Sequence, residues 1–194
     1  TYAQKISLKN ARFHRDLVRS KWYQDRWPHV KIDKENSTKA ENFSNSSGGW
    51  RLSTSVGGAV TGEHGDVLIF DDLIKAQNAQ GKAAIIGEAI EKANEFWWST
   101  MQTRRAVPNE TRQVGIMQRL HHNDPAAQAK ERGFECLELP MEYDPRRACY
   151  VRSTGFRDPR KKEGELLWPA RFDQATVDEI RERLGPIAAA AQLD

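Results

Sequence analysis

The residues with the clearest chemical potential stand at the end of one apolar run. Val67-Leu68-Ile69-Phe70 leads directly into Asp71-Asp72. Four consecutive apolar residues fit a strand buried on both faces, as in a parallel sheet. In open α/β sheets, ligands bind beyond the carboxyl ends of the strands. A carboxylate at that point can hold Mg2+ against the phosphates of a nucleotide, because magnesium prefers hard oxygen ligands and keeps several waters. A second acid beside it can orient the attacking water. The same six residues also fit a buried strand that simply ends in a solvated Asp-Asp turn.

Ahead of this run lies Val56-Gly57-Gly58-Ala59-Val60-Thr61-Gly62-Glu63-His64-Gly65. Glycine permits positive φ and close approach of backbone to a ligand, so the segment is either a ligand loop or a mobile surface loop. A phosphate loop of the form G-x-x-x-x-G-K-[ST] is absent. Gly81-Lys82 is the one Gly-Lys pair, Ala83 follows it, and Ala76 stands where the first glycine belongs. His121-His122 with Asp124 supplies metal-ligating types, but adjacent histidines point different ways in most local structures. No G-x-S-x-G occurs, which argues against a nucleophile-elbow hydrolase. Cys136 and Cys149 lack a close C-x-x-C spacing and read as reduced thiols rather than a zinc site or disulfide framework.

The elements that must position these residues follow from periodicity. Residues 4–27 read as a helix with Ile6, Leu8, Phe13, Leu17, Val18 and Trp22 as its apolar stripe and Pro28 as its end. Asn45-Ser46-Ser47-Gly48-Gly49 is a turn between strands at Ala40–Phe43 and Trp50–Ser55. A long helix is expected over 79–101, ending in Phe96-Trp97-Trp98. Further strands are expected at Gln113–Met117 and Glu135–Leu139. Asp124 caps a helix to about Arg132 with Pro125 at its first position. Residues 140–170 read as loop. Asp173 caps a last helix that buries Thr176, Val177, Ile180 and Leu184 and stops at Gly185-Pro186. Strands alternating with helices argue for an α/β fold with a mainly parallel sheet.

Composition sets the frame. The 194 residues can bury one substantial core. A net charge of +3 does not announce a nucleic-acid binder, and the local basic run Arg157–Lys162 reads equally as a solvated loop. No apolar stretch approaches the roughly 18 residues of a membrane span, and no leader-like segment is visible. The six tryptophans read as core rather than as base-stacking platforms. The first residue is Thr1 rather than Met, and Asp194 falls within an alanine-rich helical pattern, so both ends are expected to be cut ends.

Several segments in fixed order resemble the ATPase domain of tailed-phage terminase large subunits. They are Ser53-Thr54-Ser55-Val56-Gly57-Gly58 through Val60-Thr61-Gly62, then Asp66 and the strand into Asp71-Asp72 and Ile74-Lys75. Trp97-Trp98-Ser99-Thr100 with Thr103-Arg104 is similar to the family's aromatic helix end. Gly115 to His121 with Asp124 is similar to the strand and loop after it, and Gly164 to Phe172 to a segment near the end of that domain. Tyr2-Ala3-Gln4 and Trp22-Tyr23-Gln24 match the helix before the hairpin.

The resemblance implies a P-loop NTPase-like core of the ASCE type, incomplete at its N-terminal end. It divides the chain into a partial ATPase domain at 1–172 and a helical end at 173–194 leading toward an absent nuclease domain. It implies ATP and Mg2+ as cofactors, with Asp71 on the metal and Asp72 orienting water. Most members place Glu at the second position, so Asp72 reaches one methylene less far, and Leu73 stands where one branch reads Pro. Gly57, Gly58, Thr61 and Gly62 are the loop positions expected against the nucleotide, and Glu63 replaces the loop's usual Arg. Gln118 falls where the family senses nucleotide state, or else only caps local backbone. Arg119 either contacts phosphate or forms a structural salt bridge. The implied partners are double-stranded DNA, the portal protein, a small terminase subunit and further copies in a homo-oligomeric ring, in the host cytoplasm during virion assembly. The rival readings are a non-catalytic binding module with the same fold and a helicase-like ATPase outside packaging.

Overall fold

The computed structural model describes residues 1–33, 41–75 and 83–193. The expected strand start at Ala40, the helix start at 79–82, and Ala76 with Gly81-Lys82 lie outside the described residues. The chain forms two compact units, one from 1–75 and 95–116, the other from 76–94 and 117–194. The fold is mixed α/β. Among the described residues it holds one two-stranded parallel sheet and two two-stranded antiparallel sheets, rather than one mainly parallel sheet.

In the first unit, α1 (Gln4–Arg19) and α2 (Lys21–Gln24) replace the single helix expected over 4–27. Ser20 breaks it with an extended backbone. Its hydroxyl donates to the Leu17 carbonyl at 2.7 Å and accepts from the Tyr23 N–H at 3.2 Å, so one side chain ends α1 and caps α2. α1 buries Ser7, Ala11 and Val18. Phe13 and Leu17, expected in the core, are 61% and 48% exposed. Small residues on one face let the helix sit close to its support, and that face wins over the bulkier stripe.

β1 (Asn42–Ser44) and β2 (Trp50–Leu52) form the expected hairpin, antiparallel. Asn45 shapes its turn, its Oδ1 accepting from Ser47 N at 2.9 Å and Gly49 N at 3.1 Å, with Gly48 at φ 82°. Val18, Ile32 and Phe43 pack together beneath it.

β3 (Val67–Asp71) and β4 (Arg112–Ile116) run parallel and in register from Val67 opposite Arg112 to Asp71 opposite Ile116. The expectation that β3 is buried on both faces is corrected: Leu68 and Phe70 are buried, Val67 and Ile69 are 53% and 62% exposed. A layer covers only one face of the pair, so burial alternates along the strand. Gly115 stands opposite Phe70, whose ring occupies the space a β-carbon would fill. Trp97, 1% exposed, meets Phe70 edge-on at 4.5 Å between ring centroids. Trp97 belongs to a π-helical turn, Phe96–Thr100, which follows α3 (Ala83–Glu95) and precedes a 3-10 turn, Met101–Arg104. Not all tryptophans are core: Trp22, Trp27, Trp50 and Trp168 are 41–54% exposed.

In the second unit, α4 (Pro125–Glu131) starts at Asp124 with Pro125 in its first turn. The expected strand at Glu135–Leu139 does not form. Glu138 N donates to Cys149 Sγ at 3.4 Å rather than to a ladder partner, and the Glu135 carboxylate accepts from the backbone N–H of Ser153. An unexpected hairpin, β5 (Tyr150–Val151) and β6 (Phe156–Arg157), falls within the stretch read as loop. α5 (Gln174–Leu193) begins where Asp173 Oδ1 accepts from Thr176 N at 2.9 Å. The expected stop at Gly185-Pro186 is a break with Gly185 at φ 73°, after which the helix resumes. Val177, Ala189 and Leu193 form the core with Met141, Leu166 and Phe172, so residues 173–193 pack as part of this unit. Arg160, buried, ties its loops together. It pairs with the buried carboxylate of Asp158 at 2.7 Å and donates to the Pro140 carbonyl at 2.8 Å and the Glu165 carbonyl at 3.2 Å. No helix among the described residues is long and apolar enough to cross a membrane.

Candidate functional site

The first unit carries a cleft of about 490 Å3, lined by α1, the β1–β2 hairpin and β3. Asp71, the last residue of β3, lies on its wall. Asn10 of α1 donates from Nδ2 to Asp71 Oδ2 at 3.3 Å, which holds the carboxylate at the carboxyl end of the parallel pair. An amide beside one oxygen leaves the second oxygen for another ligand. Mg2+ takes only one or two carboxylates and completes its shell with phosphate oxygens and water, so a strand-end Asp suits that ion. Among the described residues, no cluster of three or more His, Cys, Asp or Glu could enclose a metal.

Asp72 follows in the left-handed region at φ 43°, a conformation that Asp tolerates better than most L residues. Its backbone is pinned from two sides. Asp72 N donates to the Ile116 carbonyl at 2.9 Å, and its carbonyl accepts from Tyr2 N at 2.8 Å. The kink turns the chain so that Leu73 and Ile74 enter the core while Asp72 stays exposed. Two adjacent carboxylates thus leave β3 in different settings, one half-buried and amide-bonded, one exposed on a strained residue.

The glycine-rich loop is two consecutive turns. Gly58 N donates to the Ser55 carbonyl at 2.8 Å with Gly57 at φ 78°, and Glu63 N donates to the Val60 carbonyl at 3.2 Å with Gly62 at φ 83°. A side chain at either φ would be strained. Val60 between them is buried. Gly57, Gly58, Thr61 and Gly62 do not line the cleft, whereas Val60, Glu63 and Gly65 do.

Gln118 and Arg119 belong to the second unit. Gln118 is exposed. Arg119 Nε lies 3.4 Å from Asp124 Oδ1, which favours its structural reading. Asp124 is fully buried and saturated: Oδ2 accepts from Leu120 N at 2.8 Å and His121 N at 3.1 Å, and Oδ1 from Ala127 N at 2.8 Å. It is a helix cap rather than a metal ligand. His121 and His122 do not diverge as expected. Their rings stack at 3.9 Å between centroids.

Three polar residues of the cleft went unremarked in the sequence. Asn10 supports Asp71. Arg51 Nη1 meets His14 Nδ1 at 2.7 Å, and Arg51 Nε donates to the buried Ser53 hydroxyl at 3.1 Å. Burial first, and the neighbouring Arg51 cation second, hold the His14 imidazole below its ordinary range, while burial lowers Arg51 itself. The available signal was the helical spacing of Ser7, Asn10 and His14, which places three polar side chains on one face of α1. No protein-family model matches the chain, and no curated protein is significantly similar to it.

Proposed function

We propose that this chain is part of a motor ATPase of the terminase large-subunit type, whose parent protein hydrolyses ATP to drive double-stranded DNA into a viral procapsid. One observation carries the reading. Asp71 ends a strand that is paired in parallel with the next, and a second carboxylate follows on a sharply turned residue. A P-loop-type core needs that arrangement to hold Mg2+ on nucleotide phosphates and to orient water. When bound, Mg-ATP supplies the phosphoryl group and the ion that neutralises its charge. Asp71 would hold that ion, Asn10 fixes the Asp71 carboxylate, and Asp72 lies beyond the strand end. Such catalysis is electrostatic and positional.

The reading requires a phosphate loop from elsewhere in the parent polypeptide, because G-x-x-x-x-G-K-[ST] is absent from these residues. It places the protein in the host cytoplasm during assembly, in a homo-oligomeric ring at the portal with a small subunit selecting the DNA. The test is nucleotide affinity and turnover of the parent protein with Asp71→Asn and Asp72→Asn. Asp71→Asn should weaken Mg-nucleotide binding; Asp72→Asn should leave binding intact and slow turnover. Equal effects of both substitutions on both quantities would refute the division of labour.

A further inference from the structure

Arg51 brings a positive charge into the cleft, and no carboxylate meets it. Its side chain is half-buried and lines the cleft. A charge taken partly out of water is normally paired. Glu63, Asp66 and Asp71 line the same cleft, yet none of them comes within 4.0 Å of the guanidinium, and Arg51 has no ion pair among the described residues. Its two partners are neutral. Nε donates to the Ser53 hydroxyl and Nη1 to His14 Nδ1. Arginine only donates, so Nδ1 is the acceptor and the proton of a neutral imidazole sits on Nε2. A carboxylate at that point would cancel the charge of Arg51. The imidazole instead fixes the guanidinium in place and leaves its charge available. Both N–H groups of Nη2 have no partner among the described residues.

α1 sets the spacing from Arg51 to Asp71. Asn10 bonds to Asp71 and His14 to Arg51. These two helix positions, i and i+4, share one face and stand about 6 Å apart along the axis. We propose that Arg51, held by His14, binds a phosphate group of the cleft's ligand, and that this ligand is a small polyphosphate anion. A planar fork of N–H donors matches phosphate oxygens two at a time. The cleft, about 490 Å3, has the volume of a small-molecule site rather than of a groove for a nucleic-acid strand. One helical turn is a spacing that a single polyphosphate bridges, with one group on Arg51 and another near the Asp71 carboxylate. The phosphate site stands on the Arg51–His14 geometry alone; that Mg2+ at Asp71 would hold the same ligand rests on the ATPase reading.

The probe is inorganic pyrophosphate, titrated calorimetrically into the 194-residue chain at fixed ionic strength, with and without MgCl2. Binding without Mg2+ is expected, with a loss of about tenfold or more in Arg51→Gln and in His14→Asp. An aspartate carries an oxygen at the position of the imidazole Nδ1, so His14→Asp supplies the missing counter-charge and competes with the ligand. That variant pairs Arg51 and should melt no lower than wild type, so its loss of binding cannot come from unfolding, and it keeps the test valid if Arg51→Gln fails to fold. With Mg2+ the affinity should rise, and Asp71→Asn should remove that rise alone. Arg51 and His14 effects that hold while Mg2+ changes nothing would support the phosphate site and count against the ATPase reading. The inference itself is overturned if pyrophosphate does not bind, or if His14→Asp binds it as wild type does. It is equally overturned if Arg51→Gln weakens binding of a DNA duplex but not of pyrophosphate.

Discussion

Gly115→Ala should destabilise the first unit, although Gly to Ala in a strand ordinarily stabilises by about 0.5–1 kcal/mol. An added β-carbon would stand 2.0 Å from Phe70 Cζ and 2.5–2.6 Å from the two ε carbons. Carbon atoms rest at about 3.5–4.0 Å, so the ring must move by more than an ångström. Trp97 blocks the way out, its ring 4.5 Å from that of Phe70 and almost wholly buried. Overpacking of this kind costs about 1–3 kcal/mol, which lowers the melting temperature by roughly 2–4 °C per kcal/mol in a chain of this length. Phe70→Leu alone should cost about 1–2 kcal/mol, because the smaller side chain no longer packs edge-on against Trp97. In the Phe70→Leu background, however, Gly115→Ala should cost nothing or stabilise, because the obstructing ring is gone. Urea unfolding of the four proteins gives the coupling directly. Strictly additive losses would refute the packing account and with it the register that brings Asp71 to the end of β4.

Arg160→Met should cost roughly 3–5 kcal/mol in the second unit, because it leaves the buried Asp158 carboxylate without its partner; Arg160→Lys should recover only part, since an ammonium cannot reproduce the fork. Acid should weaken this unit. Arg160 holds Asp158, Gln174 and Arg181 hold Glu142, and Thr176 holds Asp173, each below the ordinary carboxylate range. A folded-state value below the unfolded one gives stability that is present above the unfolded value and is lost as pH falls through the folded one. Denaturation midpoints measured downward from about pH 5 should therefore fall, and Asp158→Asn should flatten that slope. In the parent protein, Gln118→Ala should abolish DNA uptake while ATP turnover survives if Gln118 couples the two; unchanged uptake and turnover would leave it a surface residue.

What the sequence made legible was chiefly local chemistry. Asp124-Pro125 and Asp173 cap helices because a side-chain oxygen three residues ahead of a free N–H is a local device. The Asn45–Gly49 turn was legible for the same reason. Positions decided by what packs where were not. β3 reads as continuously apolar, yet half of it is exposed because only one face of its pair is covered. Glu135–Leu139 has strand composition but finds its partners in the Cys149 thiol and the Ser153 backbone N–H instead of a neighbouring strand. The bulky stripe of α1 lost to Ser7 and Ala11, which permit closer approach. Asp71 stood out at the end of its apolar run, but Asn10, its hydrogen-bond partner, lies 61 residues away, and its helical spacing with Ser7 and His14 does not point to Asp71.

The central claim meets its most direct test in DNA movement. Parent protein, procapsids and a linear duplex of defined length are mixed with Mg-ATP, and the DNA shielded from added nuclease is measured over time. The account predicts shielding that requires ATP and disappears with Asp71→Asn, while binding of the protein to DNA persists. Shielding that is unaffected by Asp71→Asn, or ATP turnover abolished by that change in a protein that moves no DNA at all, would contradict the packaging reading.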